Sequence, residues 1–221
     1  MKKAATILFA LSFLLILWGN ASTHSNPVTK VSAGNIDDGM YAIVGWSSKR
    51  CLDVPNNSCA AGIGLQTFDC DPAEASNHQK FNILSDGSGN YTISPVHSDL
   101  CLEVSGKENL GRIPIQQNVC SPGKVSQKWA LSQYGSNLEI RDVQNNQCMD
   151  ISRKGKGNYA LVFLHACGDG TNQRWTLRKT TLNTDKGVIC RASPSHPEHN
   201  CSGVNDQQKQ VHSTAHGGNF T

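Results

Sequence analysis

The sequence is poor in charged residues and has no cluster of basic ones. Charged residues make up only 17% of the 221 residues, and 20 Lys and Arg nearly balance 17 Asp and Glu. Proteins that bind nucleic acids concentrate basic side chains on one surface, so the composition argues against nucleic acid as a partner. The chain also lacks any long segment of helical periodicity. Its 20 glycines favour a turn-rich β protein instead.

Long apolar runs are missing except at the N-terminus. Two lysines precede an apolar stretch from Ala4 to Trp18, and the small residues Gly19 and Ala21 follow it. This order is typical of a secretory signal peptide, which we place at residues 1–21. An uncleaved membrane anchor is disfavoured, because a span needs about 20 apolar residues. We therefore expect a secreted protein without a membrane span, extracellular or, from a Gram-negative bacterium, periplasmic.

The nine cysteines include no C-x-x-C pair, which argues against a zinc site. Exported chains use cysteines mainly for disulfides. Three pairs share a spacing of 19 residues, and we predict that they form bridges: Cys51–Cys70, Cys101–Cys120 and Cys148–Cys167. Closeness in sequence suggests a further bridge between Cys190 and Cys201. Cys59 is left over, and it could be free, pair with one of these two late cysteines, or join another chain.

The same cysteines mark three repeated units. Cys51, Cys101 and Cys148 each begin a Cys-[Leu/Met]-[Asp/Glu]-[Val/Ile] segment, so the period is 50 residues and then 47. Each unit closes with Gln, one residue and an aromatic, in "HQKF", "SQKW" and "NQRW". Four short apolar runs per unit, separated by turn residues, predict twelve short strands. Three units suit a closed threefold barrel better than a propeller, which would want more units.

With these motifs in register, the sequence resembles the ricin B-type lectin family, whose members fold as β-trefoils and bind sugars. The resemblance implies an all-β trefoil at residues 39–180, with repeats at 39–85, 88–132 and 135–178. Residues 22–38 would form a polar leader. Residues 181–221 would form a Cys-containing polar tail that is largely disordered.

The resemblance also implies which residues contact sugar. In the family these are the acid of Cys-x-Asp, an aromatic two residues before the second cysteine, and the Asn-Gln of the closing motif. The third unit matches with Asp150, Asn172 and Gln173, and His165 stands at the aromatic position, where a neutral imidazole can stack. A carboxylate and an amide are suited to bind the hydroxyls of a sugar.

The first unit matches only in part. It has Asp53, Phe68 and Gln79, but His78 stands where the family has Asn. We predict an altered sugar site here, and sugar contact and a structural role are open alternatives for Asp53.

The second unit carries Glu103, Asn118 and Ser126 at the corresponding positions. It lacks both the aromatic and the amide, so we predict that it is inactive. The aromatics of the closing motif, Phe81, Trp129 and Trp175, are expected to fill the core.

These features predict a secreted, non-catalytic lectin that recognises galactose-like or related glycans, mainly through its third repeat. The alternative is the cell-binding subunit of a multi-chain toxin, or an accessory binding module of a secreted enzyme complex, with Cys59 as the link. An enzyme is not expected, because the acids lie in separate repeats and no Ser/His/Asp or Cys/His set stands out. The spacing of the tail histidines does not fit a metal site, and no cofactor is expected.

Overall fold

The computed structural model describes residues 36–106, 108 and 112–182, together with the backbone of residues 188–193 and 196–203. The predicted signal peptide at residues 1–21 lies outside these residues. Within them the chain is all-β, as predicted, with short 3₁₀ turns and no α-helix.

Thirteen strands occupy the repeated part of the described chain. The first repeat contains β1 (Gly39–Gly45), β2 (Cys51–Asp53), β3 (Ile63–Gly64), β4 (Gln66–Phe68) and β5 (Phe81–Ser85). The second contains β6 (Tyr91–Pro95), β7 (Cys101–Val104), β8 (Ile113–Asn118) and β9 (Trp129–Tyr134). The third contains β10 (Asn137–Asp142), β11 (Cys148–Ile151), β12 (Ala160–His165) and β13 (Trp175–Lys179). The count exceeds the predicted twelve because one predicted strand is divided at Leu65 into β3 and β4.

Six of these strands close into a barrel. The antiparallel pairs run β1–β5, β5–β6, β6–β9, β9–β10, β10–β13 and β13–β1, so the ring has no free edge. The other strands form three hairpins, β2 with β4, β7 with β8, and β11 with β12. The hairpins also pair with one another, since β12 contacts β4 and β8, and β3 contacts β8. A barrel of six strands with three such hairpins is a β-trefoil.

The aromatic residues of the closing motifs lie at the centre of the core, as predicted. Phe81, Trp129 and Trp175 are 0% exposed. Their partners are aliphatic side chains from all three repeats. Each buried indole keeps its hydrogen bond, because Nε1 of Trp129 donates to the carbonyl of Leu102 and Nε1 of Trp175 donates to the carbonyl of Met149. The repeated motif therefore fixes the fold.

Short 3₁₀ turns carry the polar residues of the closing motifs. Asn77–Gln79, Val125–Gln127 and Thr171–Gln173 immediately precede β5, β9 and β13, with a single residue between. Two other 3₁₀ turns lie at Pro55–Asn57 and Ser152–Lys154.

The three predicted disulfides are present, one in each repeat: Cys51–Cys70, Cys101–Cys120 and Cys148–Cys167. Each closes a loop of 19 residues, which in the chain-entropy model stabilises the fold by about 3 kcal/mol. Cys59 is buried and disulfide-bonded. Of the three alternatives for this residue, a free thiol is therefore wrong, and the identity of its partner cysteine stays a prediction.

A further hairpin lies beyond the repeats. β14 (Val188–Ser193) pairs with β15 (His196–Gly203), and their register sets residue Cys190 opposite Cys201. The predicted bridge between these two cysteines concerns side chains outside the described part of the structure. No helix among the described residues has the length and apolar character to span a membrane.

Candidate functional site

Each repeat carries its acid on the first strand of a hairpin, beside the glutamine of the closing motif. The acids are Asp53 on β2, Glu103 on β7 and Asp150 on β11, and all three are buried. In every repeat Nε2 of the glutamine donates to the acid and to a backbone carbonyl, while its Oε1 accepts a backbone N–H. Gln79, Gln127 and Gln173 thus have one shared role, which is to fix the acid to the loop.

In the first repeat, both oxygens of Asp53 are occupied by the protein itself. Oδ1 accepts from Nε2 of Gln66 at 2.8 Å. Oδ2 accepts from Gln79 at 3.0 Å and lies 3.2 Å from Nε2 of His78. His78 therefore takes the place of the family's Asn in space as well as in sequence. Because Gln66 bonds the other oxygen, a sugar hydroxyl would have to share either oxygen of this carboxylate with a protein donor.

Glu103 in the second repeat is also bonded by protein side chains at both oxygens. Its Oε1 accepts from Asn118 at 3.1 Å, and its Oε2 accepts from Lys124 at 2.7 Å and Gln127 at 2.6 Å. Burial alone would raise the pKa of Glu103, but these hydrogen bonds and the charge of Lys124 outweigh it and hold the pKa below its ordinary value. A fully compensated carboxylate of this kind suits a structural role.

Asp150 in the third repeat is different, because only one of its oxygens is used. Oδ2 accepts both from Nδ2 of Asn172 at 2.7 Å and from Nε2 of Gln173 at 2.9 Å. Among the described residues, none donates a hydrogen bond to Oδ1. Burial raises the pKa of Asp150, and the hydrogen bonds from Gln173 and Asn172 offset this only in part. The carboxylate therefore keeps an unfilled acceptor.

The residue opposite the acid in the hairpin accounts for the difference between the first and third repeats, whereas in the second repeat Asn118 donates to Oε1 of Glu103. Asp53 faces Gln66 and Glu103 faces Gln116, whereas Asp150 faces Phe163. A phenyl ring cannot donate to the carboxylate as the amide of Gln66 does. The phenylalanine thus leaves Oδ1 of Asp150 open, a feature that the family motifs did not indicate.

The residues at the predicted aromatic position lie at the ends of β4, β8 and β12. His165 is exposed, and its Nδ1 lies 3.2 Å from the carbonyl of Ala166, so Nε2 faces away from this contact. Phe68 is half-buried and packs edge-on against Tyr159 with ring centroids 5.2 Å apart. The structure thus brings Asp150, Asn172 and Gln173 into direct contact, with His165 on the same hairpin.

Tyr159 belongs to the third repeat, although it contacts the first. The pairing of neighbouring hairpins explains this. The residue six positions before the second cysteine of one repeat lies opposite the residue four positions before the second cysteine of the next repeat. The three pairs are Leu161 with Gln66, Gly64 with Gln116, and Pro114 with Phe163. By the same register, the residue eight positions before the second cysteine of one repeat lies beside the predicted aromatic position of the next repeat. Tyr159 thus lies beside Phe68, and Arg112 lies beside His165.

The family motifs do not include this position, called here the contributed position, in any of the three repeats. Its occupants are Gly62, Arg112 and Tyr159, each eight residues before the second cysteine of its own unit. The alignment of the repeats shows that the position varies, but only the pairing of the hairpins shows which site each residue reaches.

No metal centre is apparent among the described residues. One group brings Glu139 close to the sulfur atoms of Cys148 and Cys167. These two cysteines form a disulfide, so their sulfur atoms are not available as thiolate ligands. A separate hollow where the three hairpins meet is lined by Leu65, Pro114, Leu161 and Phe163, and it does not include Asp150.

The family described as the ricin-type beta-trefoil lectin domain matches residues 39–190. No curated protein sequence is significantly similar to the chain.

Similar solved structures share the fold at low sequence identity. The designed threefold-symmetric protein ThreeFoil is 24% identical and has a TM-score of 0.60, over 65% of this chain and 100% of that one. A Macrolepiota procera ricin B-like lectin in complex with lactose is 14% identical, with a TM-score of 0.56, over 66% of this chain and 99% of that one. The C-half of an earthworm R-type lectin in complex with GalNAc is 17% identical, with a TM-score of 0.52, over 64% of this chain and 99% of that one.

Proposed function

We propose that this chain, which belongs to the ricin-type β-trefoil lectin family, is a secreted, non-catalytic lectin that binds galactose-like glycans mainly through its third repeat. The family and the similar lectins support carbohydrate binding. Lactose and GalNAc in two of those structures motivate a galactose-like ligand. The three disulfides are consistent with an exported protein.

The open oxygen of Asp150 carries the assignment to the third repeat. A sugar hydroxyl is a good donor to a carboxylate, and a charge-assisted hydrogen bond is roughly twice as strong as a neutral one. Asp53 and Glu103 offer no comparable acceptor, because protein side chains already bond to both oxygens. A sugar hydroxyl in those repeats would have to share an oxygen with an internal donor.

The neighbours of Asp150 divide into those that contact the ligand and those that position the acid. His165 is exposed and can present its ring to the apolar face of a pyranose. Both N–H groups of Asn172 donate to the protein, so its Oδ1 is the atom left for a hydroxyl donor. The side-chain amide of Gln173 is fully hydrogen-bonded to Asp150 and to the backbone, so we assign Gln173 a positioning role.

A single site of this kind binds weakly. Few sugar atoms are covered at an exposed surface, so the dissociation constant for a free monosaccharide should be near millimolar, or about 4 kcal/mol of binding free energy. Clustered ligands would raise the apparent affinity only if a second site or a second chain is engaged.

Titration of lactose into the purified chain by isothermal calorimetry or NMR tests the proposal. Asp150→Asn keeps the shape of the side chain and removes its charge, and it should weaken binding about tenfold or more, since a hydrogen bond to a charged group contributes about 1.5–3 kcal/mol. Asp53→Asn and Glu103→Gln are the matched controls in the other repeats. They should lower stability, because each leaves buried donors without a charged acceptor, while lactose binding is largely kept.

Two results would overturn this assignment. Unchanged lactose binding by Asp150→Asn would move the site out of the third repeat. No binding of lactose or of any other glycan on an array, by a folded wild-type chain, would remove the function itself.

A further inference from the structure

We propose that Arg112, contributed by the second repeat, makes the third-repeat site prefer sugars that carry an anionic group, a sulfate or a carboxylate. The inference rests on the proposed function, because it concerns the ligand of the same site. It goes further by naming a residue outside the family motifs and a chemical class of ligand.

The position of Arg112 follows from the pairing of β8 with β12. Pro114 pairs with Phe163, and Ile113 pairs with Leu164. One step along this register brings Arg112 beside His165. The side chain contacts two other residues of the third repeat, since Nη1 donates to Oγ of Ser152 and the guanidinium carbon lies 5.7 Å from the centroid of the ring of Phe163, the residue opposite Asp150.

The guanidinium of Arg112 has N–H donors that make no hydrogen bond to a described residue. An arginine carries five N–H donors, and the contact with Ser152 is its one hydrogen bond to a described residue. The charge of Arg112 acts on Asp150, but no ion pair joins the two among the described residues. The side chain is half-buried and therefore remains accessible to a ligand.

The other repeats lack a cation at this position. Gly62 has no side chain beside Asn118, and Tyr159 places a ring against Phe68. Lys124 is the cation nearest to the acid of the second repeat, and it is paired with Glu103 at 2.7 Å. A partly free positive charge at the acid therefore distinguishes the third repeat, which is also the one with the open acceptor.

The two charges are complementary to a ligand with two kinds of group. A neutral hydroxyl can donate to Oδ1 of Asp150, and an anionic substituent can accept from the guanidinium. Arginine suits this role, because its planar fork matches the oxygens of a sulfate or carboxylate. A sugar without the anion would keep the first interaction and lose the second.

The test compares lactose with the same disaccharide carrying a sulfate ester or a sialic acid on its galactose. Wild-type protein should bind at least one of the charged sugars about five- to tenfold more tightly than lactose in low salt, the range of a partly solvated charge-assisted hydrogen bond. The preference should shrink in about 0.5 M NaCl, where exposed charges are screened. The two charged sugars show which anion the site accepts.

Arg112→Gln should abolish the preference and change lactose affinity less than about twofold, whereas Arg112→Lys should keep part of it. Arg178→Gln removes an equal charge from an exposed position on β13 and should change nothing. Thermal midpoints establish that each variant is folded. If Arg112→Gln fails to fold, Arg112→Lys and the salt dependence of the wild type give the answer.

The outcomes distinguish a failure of the role of Arg112 from a failure of the proposed lectin function. Lactose binding with no gain for either charged sugar overturns the role of Arg112 and leaves the lectin proposal standing. If Arg112→Gln keeps the preference for a charged sugar over lactose, the role of Arg112 is also overturned. If the folded wild type binds none of the three sugars and no other glycan on an array, the proposed function itself is wrong.

Discussion

Glutamine in place of His97 should remove much of the protein's loss of stability between neutral pH and pH 4. His97 follows β6, is 0% exposed, and has Nε2 2.9 Å from the carbonyl oxygen of Ser58. This geometry makes Nε2 the protonated nitrogen of a neutral ring. Nδ1 is buried and has no hydrogen-bond partner among the described residues.

Burial lowers the pKa of His97 from 6.5 to about 4. The hydrogen bond to Ser58 and the charges of Asp53 and Asp99 act in the opposite direction, while His78 lowers the pKa further. Between these two pH values the unfolded chain binds a proton that the folded protein does not. The free energy of unfolding therefore decreases as the pH falls through this window, by about 3 kcal/mol at most from this one group.

Chemical denaturation at several pH values from 7.5 to 4 measures the effect. His97→Gln can still donate from Nε2 to Ser58 but cannot titrate. It should be somewhat less stable than the wild type at pH 7 and should lose about 3 kcal/mol less on acidification. Carboxylates that titrate in both proteins cancel in this difference. His165→Gln removes an exposed histidine and should leave the wild-type dependence in place. Parallel curves for wild type and His97→Gln would refute the argument.

Three other tests separate the scaffold from the site. Trp175→Ala should cost about 3–5 kcal/mol of stability in denaturation experiments, whereas Asn172→Ala should cost about 1 kcal/mol and weaken lactose binding; equal losses of stability would contradict this division. A Cβ on Gly170 would meet Oδ1 of Asn172 at 2.6 Å, while one on Gly168 would meet nothing within 4 Å. Gly170→Ala should therefore weaken binding in titrations, and Gly168→Ala should not. Because burial raises the pKa of Asp150, binding that needs its ionised form should fall with decreasing pH before an ordinary Asp would protonate, and calorimetry across pH 6 to 3.5 would show this.

The scaffold could be predicted because each of its features occurs three times in the sequence. Cys51, Cys101 and Cys148 each have a partner 19 residues later, and the structure confirms all three bridges. The aromatic of each closing motif is fully buried for the same reason, since each repeat needs one large ring in the core. Residues that recur in all three repeats are the ones the fold requires, because positions without a structural requirement differ from repeat to repeat.

The state of each acid could not be predicted in the same way. The sequence shows that all three repeats have an acid and a glutamine, but not which donors reach the acid in space. Gln66 saturates Asp53 from across the hairpin, and Lys124 reaches Glu103 from the loop before β9. Sequence analysis correctly located His78 at the Asn position, yet it did not indicate that Gln66 fills the remaining oxygen.

The contributed position was missed for a physical reason. A hairpin is joined by local sequence, but the register between two hairpins depends on how the trefoil closes. Arg112 is 8 residues before its own Cys120 and 53 residues before His165, the residue that it lies beside. Each candidate site is therefore built by two repeats, and a substitution at Arg112 or Tyr159 alters the site of the neighbour. Matching one repeat at a time to a family motif finds the acid and the amide, which come from a single hairpin. It overlooks the residue contributed by the neighbouring hairpin, which differs among all three repeats and on which discrimination between ligands can depend.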